Sequence, residues 1–522
     1  MVSCHKLIRR KLSMKKLLNR LFSRMVITCL LVAAQLIFFM VEVLKLQQYY
    51  VLVAAILHLL SFIAVMHMLL KDVNPSIKLA WIVPILMFPV LGGLLYLLYG
   101  HIIMPKKLEK YMKHAAEWDY ETDLYANMAY FSDVIKGQPP YRLFKYTEDY
   151  AGSLVYQNTD VRYYPMGEDV WPDFVDDLKS AKKYIFLEYF IINPGEMWNT
   201  VLEILKEKVK EGVEVRLIYD DIGSVFYVPK YYWRELESHG IKCMAFNQVV
   251  PFLATIFNNR DHRKIAVMDG KVAYTGGFNL SDEYINKKAP YGKWKDNGIR
   301  MEGDAAWRFT ILFLQLWNSI RNEDKHILSY RPTEQKKHLN DGYLQPYTTN
   351  PLKKEPIGEN IYMQMINDAR EYVYIFTPYL IVCNEMMTAL KLAAKRGIDI
   401  RIVTPAIPDK KMIFRMTQSS YKELLRAGVK IYQYTPGFIH SKCILTDDNL
   451  TSIGSINMDN RSFYHHFECG VLVYDSSIIA EVKYDMVSTM RESEEITLDW
   501  CKEHMSRITL VDAFLRLLSP LL

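Results

Sequence analysis

The chain has 522 residues, of which 50% are hydrophobic and 23% are charged, and its formal net charge is +6. This length and composition exclude an intrinsically disordered chain and predict two or three folded domains. The positive charge lies at one end: residues 1–24 contain eight lysines and arginines and no acid, so the remaining residues sum to 6 − 8 = −2. A body that is not basic is atypical of nucleic-acid-binding proteins, so we expect no nucleic-acid partner.

The basic arm of residues 1–24 is followed by three apolar stretches, at about 25–44, 49–70 and 77–99. Each has roughly the 20 residues that a membrane-spanning helix needs. No small-residue cleavage site follows the first stretch, so we interpret it as an anchor. Lysines cluster again after residue 100, and the positive-inside rule therefore predicts that both flanks lie in the cytoplasm. This requires an even number of crossings, and the third stretch, with two prolines and two glycines, is the most irregular.

The soluble part repeats one order of elements. A strand over Tyr184–Phe190, a helix near 196–211 and a strand over Val213–Tyr219 predict a βαβ unit with a parallel strand pair. The same order returns with a strand over Tyr372–Tyr379, a helix near 384–396 and a strand over Ile398–Val403. The chain is therefore an internal duplication of α/β class, with two homologous domains whose mixed or parallel sheets are flanked by helices.

These observations divide the chain into five parts. We expect a basic cytoplasmic arm, a membrane region with two or three hydrophobic segments, a linker, a first α/β domain and a second α/β domain ending in an interfacial tail, with the bounds 1–24, 25–100, 101–150, 151–335 and 336–522.

Each repeat also contains one copy of the pattern HxKxxxxD. The copies are His262, Lys264 and Asp269 in the first repeat, and His440, Lys442 and Asp447 in the second. A turn of small residues and an asparagine follow each copy at the same distance, at Asn279 and Asn457. A lone copy could arise by chance, but two copies with a shared turn and amide predict one active site built from both repeats.

Parity along the chain separates the residues of this motif. The histidine and lysine are two residues apart and precede apolar runs, so we expect each pair to lie on a buried strand with both side chains on one face. The aspartate has the opposite parity. We keep it in the motif but assign it a structural role, in which it closes a turn or pairs with a nearby basic side chain.

A doubled His/Lys/Asn set suits attack on a phosphodiester. The lysines supply positive charge and the asparagines supply N–H donors to the nonbridging oxygens. One histidine attacks phosphorus, and the other protonates the leaving alcohol and then deprotonates the incoming one. No metal or cofactor is required, and we expect none.

A histidine used in this way usually has its second ring nitrogen held by a carboxylate. The candidates are Asp296 and Glu468. His465 and His466 are close to Glu468 in sequence but have no histidine counterpart in the first repeat, so we interpret them as structural.

The seven cysteines are scattered, without CxxC spacing. They predict neither a disulfide framework nor a zinc site, and they fit a reducing compartment.

The doubled motif with its turn and asparagine resembles the phospholipase D superfamily, and within it the bacterial cardiolipin synthases. Residues 457–463, followed by Phe467 and Glu468, resemble the family signature around the second motif, and residues 79–100 resemble its N-terminal membrane segment. The resemblance implies a multi-pass protein of the bacterial plasma membrane with its catalytic domains in the cytoplasm. The extra apolar stretch, relative to a two-span form, leaves the number of crossings open.

The resemblance also implies a reaction. Two phosphatidylglycerol molecules give cardiolipin and glycerol through a covalent phosphatidyl-histidine, with His262 as nucleophile and His440 as acid and then base. The local sequences are nearly symmetric, so the reverse assignment stays open. The partners implied are phosphatidylglycerol, anionic membrane lipids and the membrane itself.

Three alternative functions remain. They are a phospholipase D-type hydrolase, another phosphatidyltransferase and, less favoured because both motifs are intact, a non-catalytic lipid-binding membrane protein. Apolar runs precede both motifs, at residues 249–257 and 436–439, and are either lips that admit a lipid or plain core strands. The sequence does not indicate acyl-chain preference or oligomeric state.

Overall fold

In this computed structural model the described residues are 33–37, 40, 47–88, 90–99, 136–138, 140–248, 259–505 except 325, 334–335 and 339–340, and 515–521. They belong to two compact units. Among its described residues, the first contains the helices α1 (Gln47–Leu70), α2 (Pro75–Met87) and α3 (Leu91–Tyr99), further helical residues at 33–37 and 515–518, and a short 3-10 turn at Ser519–Leu521.

The helices of this first unit cover the second and third predicted apolar stretches. The second stretch coincides with α1. The third is interrupted between α2 and α3, where Gly92 packs so tightly on Pro84 that an added Cβ would lie 2.1 Å from the proline carbonyl oxygen. The first stretch falls largely outside the described residues. Within the described part of the chain, no helix has both the length and the apolarity needed to cross a membrane.

The second unit contains two sheets and the helices around them. Its helices are α4 (Tyr141–Ala151), α5 (Gly167–Ser180), α6 (Glu196–Lys210), α7 (Asp221–Ser224), α8 (Tyr232–Ser238), α9 (Asp304–Ile320), α10 (Ile357–Asp368), α11 (Asn384–Lys395), α12 (Lys411–Ser419), α13 (Tyr421–Ala427), α14 (Asn460–Tyr464), α15 (Ile478–Arg491) and α16 (Leu498–His504), with 3-10 turns at Asp282–Ile285 and Ile327–Tyr330.

The described residues of this unit form twenty strands in its sheets and ribbons. They are β1 (Thr159–Tyr164), β2 (Tyr184–Tyr189), β3 (Glu214–Asp220), β4 (Lys242–Phe246), β5 (Arg260–Asp261), β6 (Lys264–Met268), β7 (Val272–Gly276), β8 (Lys293–Lys295), β9 (Gly298–Gly303), β10 (Tyr343–Thr349), β11 (Tyr372–Phe376), β12 (Leu380–Ile381), β13 (Asp399–Pro405), β14 (Lys430–Tyr434), β15 (Gly437–Ile439), β16 (Cys443–Thr446), β17 (Leu450–Gly454), β18 (Met458–Asp459), β19 (His466–Tyr474) and β20 (Ser493–Ile496).

The first sheet has seven strands in the order β1-β9-β7-β6-β2-β3-β4. Strands β2, β3 and β4 are parallel, whereas β6 runs antiparallel to β2. Helix α6 connects β2 to β3 and buries Trp198, Val201 and Leu205, which share one face at helical spacing. The predicted βαβ unit of the first repeat is confirmed.

The second sheet follows the order β10-β19-β17-β16-β11-β13-β14-β20. Strands β11 and β13 are parallel and α11 connects them, so the second βαβ unit is also confirmed. Strand β11 is shorter than predicted, because it ends at Phe376 and not at Tyr379. The Thr377 hydroxyl donates to the Tyr379 carbonyl at 2.8 Å, which closes a turn around Pro378, a residue without a backbone donor. Two mixed α/β sheets flanked by helices are therefore present, as the sequence predicted.

Two short parallel pairings join the repeats. Strand β5 of the first repeat pairs with β19 of the second, and β15 of the second pairs with β8 of the first. One hydrophobic cluster also extends across both sheets, from Phe186 in β2 through Trp317 in α9 to Tyr374 in β11. The two repeats thus share backbone pairing and core.

The prediction that each His/Lys pair lies on one strand is wrong, because both histidines and Lys442 lie outside the strands and only Lys264 belongs to one. Strand β5 ends before His262 and β6 begins at Lys264; likewise β15 ends before His440 and β16 begins after Lys442. The chain changes pairing partner at each histidine, because β5 pairs with β19 whereas β6 pairs with β2. Each histidine therefore lies in a break between two strands.

Candidate active site

Each motif histidine is held by a carboxylate from the other repeat. Nδ1 of His262 lies 2.9 Å from both carboxylate oxygens of Glu468. Nδ1 of His440 lies 2.7 Å from Oδ2 of Asp296. Both carboxylates are fully buried, and the two histidines are 6% and 7% exposed. The two acids singled out in the sequence thus lie against the histidines, and the pairing crosses between repeats.

The cross-repeat pairing follows from the strand breaks. The His262 backbone N–H donates to the Phe467 carbonyl at 2.9 Å, next to Glu468. The His440 backbone N–H donates to the Lys295 carbonyl at 2.7 Å, next to Asp296. Each histidine therefore docks on the backbone directly before the carboxylate that binds its ring.

Two serine hydroxyls fix the orientation of Glu468. Ser455 Oγ donates to Oε2 at 2.5 Å and Ser462 Oγ donates to Oε1 at 2.8 Å. Ser455 belongs to the small-residue turn after the second motif, whereas Ser462 lies in α14. Sequence reasoning did not assign a role to Ser462. The only signal was its place within the family signature of residues 457–463.

The motif lysines fold back on the histidines. Nζ of Lys264 donates to the His262 carbonyl at 2.5 Å. Nζ of Lys442 donates to the His440 carbonyl and lies 2.8 Å from Nδ1 of the same histidine. Both lysines are fully buried. Burial lowers the pKa of Lys264 to about 8 and that of Lys442 to about 7.

Burial also controls the charge of the histidines. It lowers the pKa of His262 and of His440 well below the usual range, and the neighbouring lysine charges lower both further. Burial raises the pKa of Asp296 to about 7. A bound phosphodiester anion would oppose the lysine effect on the histidines, because a nearby negative charge favours the charged form of a base.

The two motif asparagines have different surroundings. Oδ1 of Asn279 accepts the Ile191 N–H at 3.0 Å, and its Nδ2 donates to the Tyr284 hydroxyl at 2.6 Å. Oδ1 of Asn457 is buried and has no hydrogen-bond partner among the residues that the structure describes. Nothing in the sequence pointed to Tyr284. Phosphate binding by these amides stays a prediction.

The motif aspartates bind backbone. The carboxylate of Asp269 accepts the N–H groups of the three residues that lead into β2, at 2.7–2.9 Å. Asp447 does the same before β11, at 2.7–3.0 Å. Both aspartates have left-handed backbone, with φ of 56° and 51°, which asparagine and aspartate tolerate better than most residues. Each carboxylate thus fastens a strand to the turn that ends the motif strand.

Comparison with known proteins adds the family. Residues 174–291 and 362–489 match the family model described as "Cardiolipin synthase, PLD-like domain", and residues 59–101 match "Phospholipase_D-nuclease N-terminal". Cardiolipin synthase 2 of Bacillus anthracis is 34% identical over 463 residues, 87% of this chain and 88% of that protein. The chain belongs to the cardiolipin synthase family of phospholipase D-like proteins. It is therefore a phosphatidyltransferase by class, as the sequence predicted.

Further similarities agree with this family. Cardiolipin synthase of Alkalihalophilus pseudofirmus is 33% identical over 453 residues, 86% of this chain and 90% of that protein. Phosphatidylserine synthase of Haemophilus influenzae Rd KW20 superposes with a TM-score of 0.52 over 68% of this chain and 92% of that chain. At 13% identity, the latter similarity concerns the fold alone.

One group of ligand-type side chains lies within this cardiolipin synthase-like site. His262, His466 and Glu468 bring three possible ligand atoms within 4.8 Å of one another. Two imidazoles and a carboxylate are a set that zinc accepts. Glu468 is already bonded to His262, however, and the lysine charges nearby oppose a second cation. That no metal takes part stays a prediction.

The apolar run before the second motif is a core strand. Phe438 is 1% exposed, and its ring lies 4.7 Å from that of Trp294. The corresponding run before the first motif, 249–257, lies outside the described residues. The lip interpretation is therefore wrong for residues 437–439 of this family member.

Proposed function

We propose that this chain transfers the phosphatidyl group of one phosphatidylglycerol to a hydroxyl of a second, giving cardiolipin and glycerol. The observation that carries the proposal is the cross-repeat arrangement, in which two histidines are each bound at Nδ1 by a buried carboxylate. A histidine held in this way presents its other nitrogen for chemistry. Two such groups are what a two-step displacement at phosphorus requires.

In the first step Nε2 of His262 attacks phosphorus. The bond from phosphorus to the glycerol oxygen breaks, and that oxygen takes a proton from His440. The products are phosphatidyl-His262 and free glycerol. Burial keeps His262 neutral and hence nucleophilic, because it lowers the imidazole pKa. His440 has to be protonated before this step, and the bound phosphodiester anion favours its charged form against the effects of burial and of the lysines on its pKa. Lys264 and Lys442 offset the negative charge on the nonbridging oxygens, with N–H groups of Asn279 and Asn457 as further donors.

The second step reverses the first with a different alcohol. A hydroxyl of the second phosphatidylglycerol gives its proton to His440 and attacks the phosphatidyl group. The bond to His262 breaks, and cardiolipin leaves. The reaction is reversible because one phosphodiester bond is exchanged for another. The low exposure of both histidines supports alcohol over water as acceptor, since a site that excludes water suppresses hydrolysis.

The proposal includes the layout of the chain. Residues 25–100 anchor the enzyme in the bacterial plasma membrane, and residues 151–335 and 336–522 form the two phospholipase D-like domains on the cytoplasmic side. The apolar stretches, the basic arm and the lysines after residue 100 support this layout.

The test uses purified full-length enzyme with vesicles of phosphatidylglycerol and no added metal. We expect cardiolipin and glycerol in equal amounts, and we expect His262→Ala and His440→Ala each to lower turnover by at least ~10³-fold. If phosphatidic acid forms and cardiolipin does not, the proposal is wrong and the chain is a phospholipase D-type hydrolase. Normal turnover of His262→Ala would remove this histidine from the mechanism, and a phosphate trapped on His440 would reverse the two roles.

A further inference from the structure

Two loops leave the sheets at the edge where the motif histidines lie. They follow β3 and β13, the corresponding strands of the two repeats, and we call residues 221–231 and 406–412 the rim loops. In the first sheet, the end of β2 pairs with both the end of β3 and Lys264 of the first motif. In the second sheet, the end of β11 pairs with β13 and with Cys443, the residue after the motif lysine. Both rim loops therefore start beside the candidate active site.

Exposed apolar side chains are concentrated in the rim loops. Phe226 is 92% exposed and Met412 is 59% exposed. Among the described residues of the second unit, thirteen large apolar side chains are exposed, and seven of them belong to these two short loops: Ile222, Val225, Phe226, Tyr227, Tyr231, Ile407 and Met412. Single exposed apolar side chains need no explanation, but a group of them beside one site marks a surface that binds something apolar.

The first rim loop extends to the His440 half of the site. Burial raises the pKa of Tyr227, and the neighbouring Glu283 and Tyr291 raise it further. Burial and Glu283 raise the pKa of Tyr284, and Tyr227 adds to this effect. The ring of Tyr284 lies 5.5 Å from that of His440. The loop that starts beside the first motif thus also lies near the second histidine.

The second rim loop borders both halves of the site. Burial lowers the pKa of the two motif histidines, and the charge of Lys410 is among those that lower both further. Lys410 is exposed, and its Nζ lies 3.9 Å from Oδ2 of Asp409 and 5.6 Å from the centre of the Tyr379 ring. The Tyr379 hydroxyl donates to the same Asp409 oxygen at 2.6 Å. The apolar side chains of both loops therefore surround one site.

The charges among these apolar side chains are mainly positive. Residues 222–234 contain no acid, and Lys230 and Arg234 lie over the Tyr231 ring at 5.0 and 4.9 Å. The second rim loop contains two lysines and one aspartate. Aromatic rings beside lysine and arginine suit the headgroup layer of an anionic bilayer. A second copy of the chain is disfavoured as the partner, because two positive surfaces would meet.

We propose that the rim loops insert their apolar side chains into the headgroup layer of an anionic bilayer, so that the site opens on the membrane surface. This inference rests on the proposed function, since the phosphodiester of phosphatidylglycerol lies at that surface, and it deepens it by naming the surface that meets the bilayer. Phe226 and Met412, one from each repeat, enter the apolar boundary, while Lys230 and Lys411 lie against lipid phosphates. The substrate then brings its phosphodiester to the histidines while its acyl chains stay in the bilayer.

The form of the substrate separates docking from chemistry. Full-length enzyme in phosphatidylcholine proteoliposomes receives phosphatidylglycerol either as a long-chain lipid in the bilayer or as a short-chain lipid dissolved below its critical micelle concentration. We expect Phe226→Glu to lower cardiolipin formation from the bilayer lipid by about 10-fold or more, because an inserted ring is replaced by a charge. The rate with the dissolved lipid should stay within about 2-fold of wild type, because that lipid does not have to leave a bilayer.

Leu392→Glu is the matched control. Leu392 is 54% exposed but lies in the last turn of α11, toward the opposite edge of the second sheet, so both rates should stay at their wild-type values. Phe226→Leu keeps an apolar side chain and should retain most of the rate with the bilayer lipid. A wild-type rate of Phe226→Glu with the bilayer lipid, or an equal loss with both forms of the substrate, would overturn the inference.

A fluorescent label measures contact with the bilayer without turnover. In proteoliposomes, nitroxide-bearing lipids should quench a label on Phe226→Cys more strongly than one on Leu392→Cys, after subtraction of the signal from the labelled parent chain. Equal quenching at the two positions would overturn the inference, and so would energy transfer between labels on two copies without quenching by lipid. Absence of cardiolipin from the wild-type enzyme with both substrates would instead overturn the proposed function, a failure that the quenching measurement distinguishes.

Discussion

At the scale of single residues, the site is defined by charges held out of water. Lys442 has no exposed surface, and burial lowers its pKa to about 7. The unfolded chain returns this lysine to its ordinary pKa of about 10.4. Between these two values the unfolded state binds more protons than the folded one. The contribution of Lys442 to stability therefore rises with pH from about 7 to 10 and is most unfavourable below 7.

The variant Lys442→Met tests this predicted pH dependence of stability. At pH 6 we expect the variant to be more stable than the wild type by a few kcal/mol, because a buried cation has been removed. Near pH 10 this gain has vanished, since the wild-type lysine is then neutral in the folded state. Denaturant midpoints at both pH values measure the difference, and turnover of the variant should be lost at both. A gain that grew with pH would contradict the argument.

Sequence reasoning reached the chemistry at this scale but not the contacts. Residue types and spacing selected His262, His440 and the acids Asp296 and Glu468. Which acid binds which histidine depends on partners 206 and 144 residues away, and local spacing carries no such information. The contact between the rings of His466 and His262 could not be predicted either, because these residues are far apart in sequence.

At the scale of elements, each motif strand ends in a turn whose aspartate is hydrogen-bonded to the backbone of a neighbouring strand. The opposite strand parity of the two aspartates predicted a structural role for them. In the structure each aspartate accepts hydrogen bonds from three backbone N–H groups. The strand boundaries were less predictable. An apolar run indicates a strand, but it does not indicate where the strand changes from one sheet to another, as the chain does at His262.

Asp447→Ala tests the role of the turn. The change leaves three N–H groups without their acceptor and puts alanine in left-handed backbone, so we expect a loss of about 2–4 kcal/mol in the free energy of unfolding. We expect kcat of the folded fraction to stay within about 3-fold, as the carboxylate does not reach the reacting atoms. Asp447→Asn, which keeps one oxygen and the backbone preference, is the matched control and should lose less. A large drop in kcat at unchanged stability would show that the aspartate takes part in the reaction.

At the scale of the whole molecule, we expect the two repeats to unfold as one cooperative unit. They share a hydrophobic cluster and two cross-repeat strand pairings. Trp198→Ala offers a test, because this fully buried side chain belongs to α6 of the first repeat and its loss should cost about 3–5 kcal/mol.

We expect Trp198→Ala to lower the unfolding temperature of both repeats by the same amount. Brief proteolysis along a temperature ramp, with mass spectrometry of peptides from β2 and β11, follows the repeats separately. A second repeat that kept its wild-type unfolding temperature would show that the domains unfold independently.

The cross-repeat bonds also set the moment in biosynthesis at which catalysis begins. His262 leaves the ribosome 206 residues before its carboxylate Glu468. At a synthesis rate of about 5–20 residues per second, this interval is roughly 10–40 s. The second HxKxxxxD motif is complete only at Asp447, so for most of that time the nascent chain contains one intact motif, and until Glu468 is made it contains no assembled reaction centre. We expect a transcript broken before codon 468 to yield an inactive product, because it retains the first motif in full but lacks the carboxylate that binds His262.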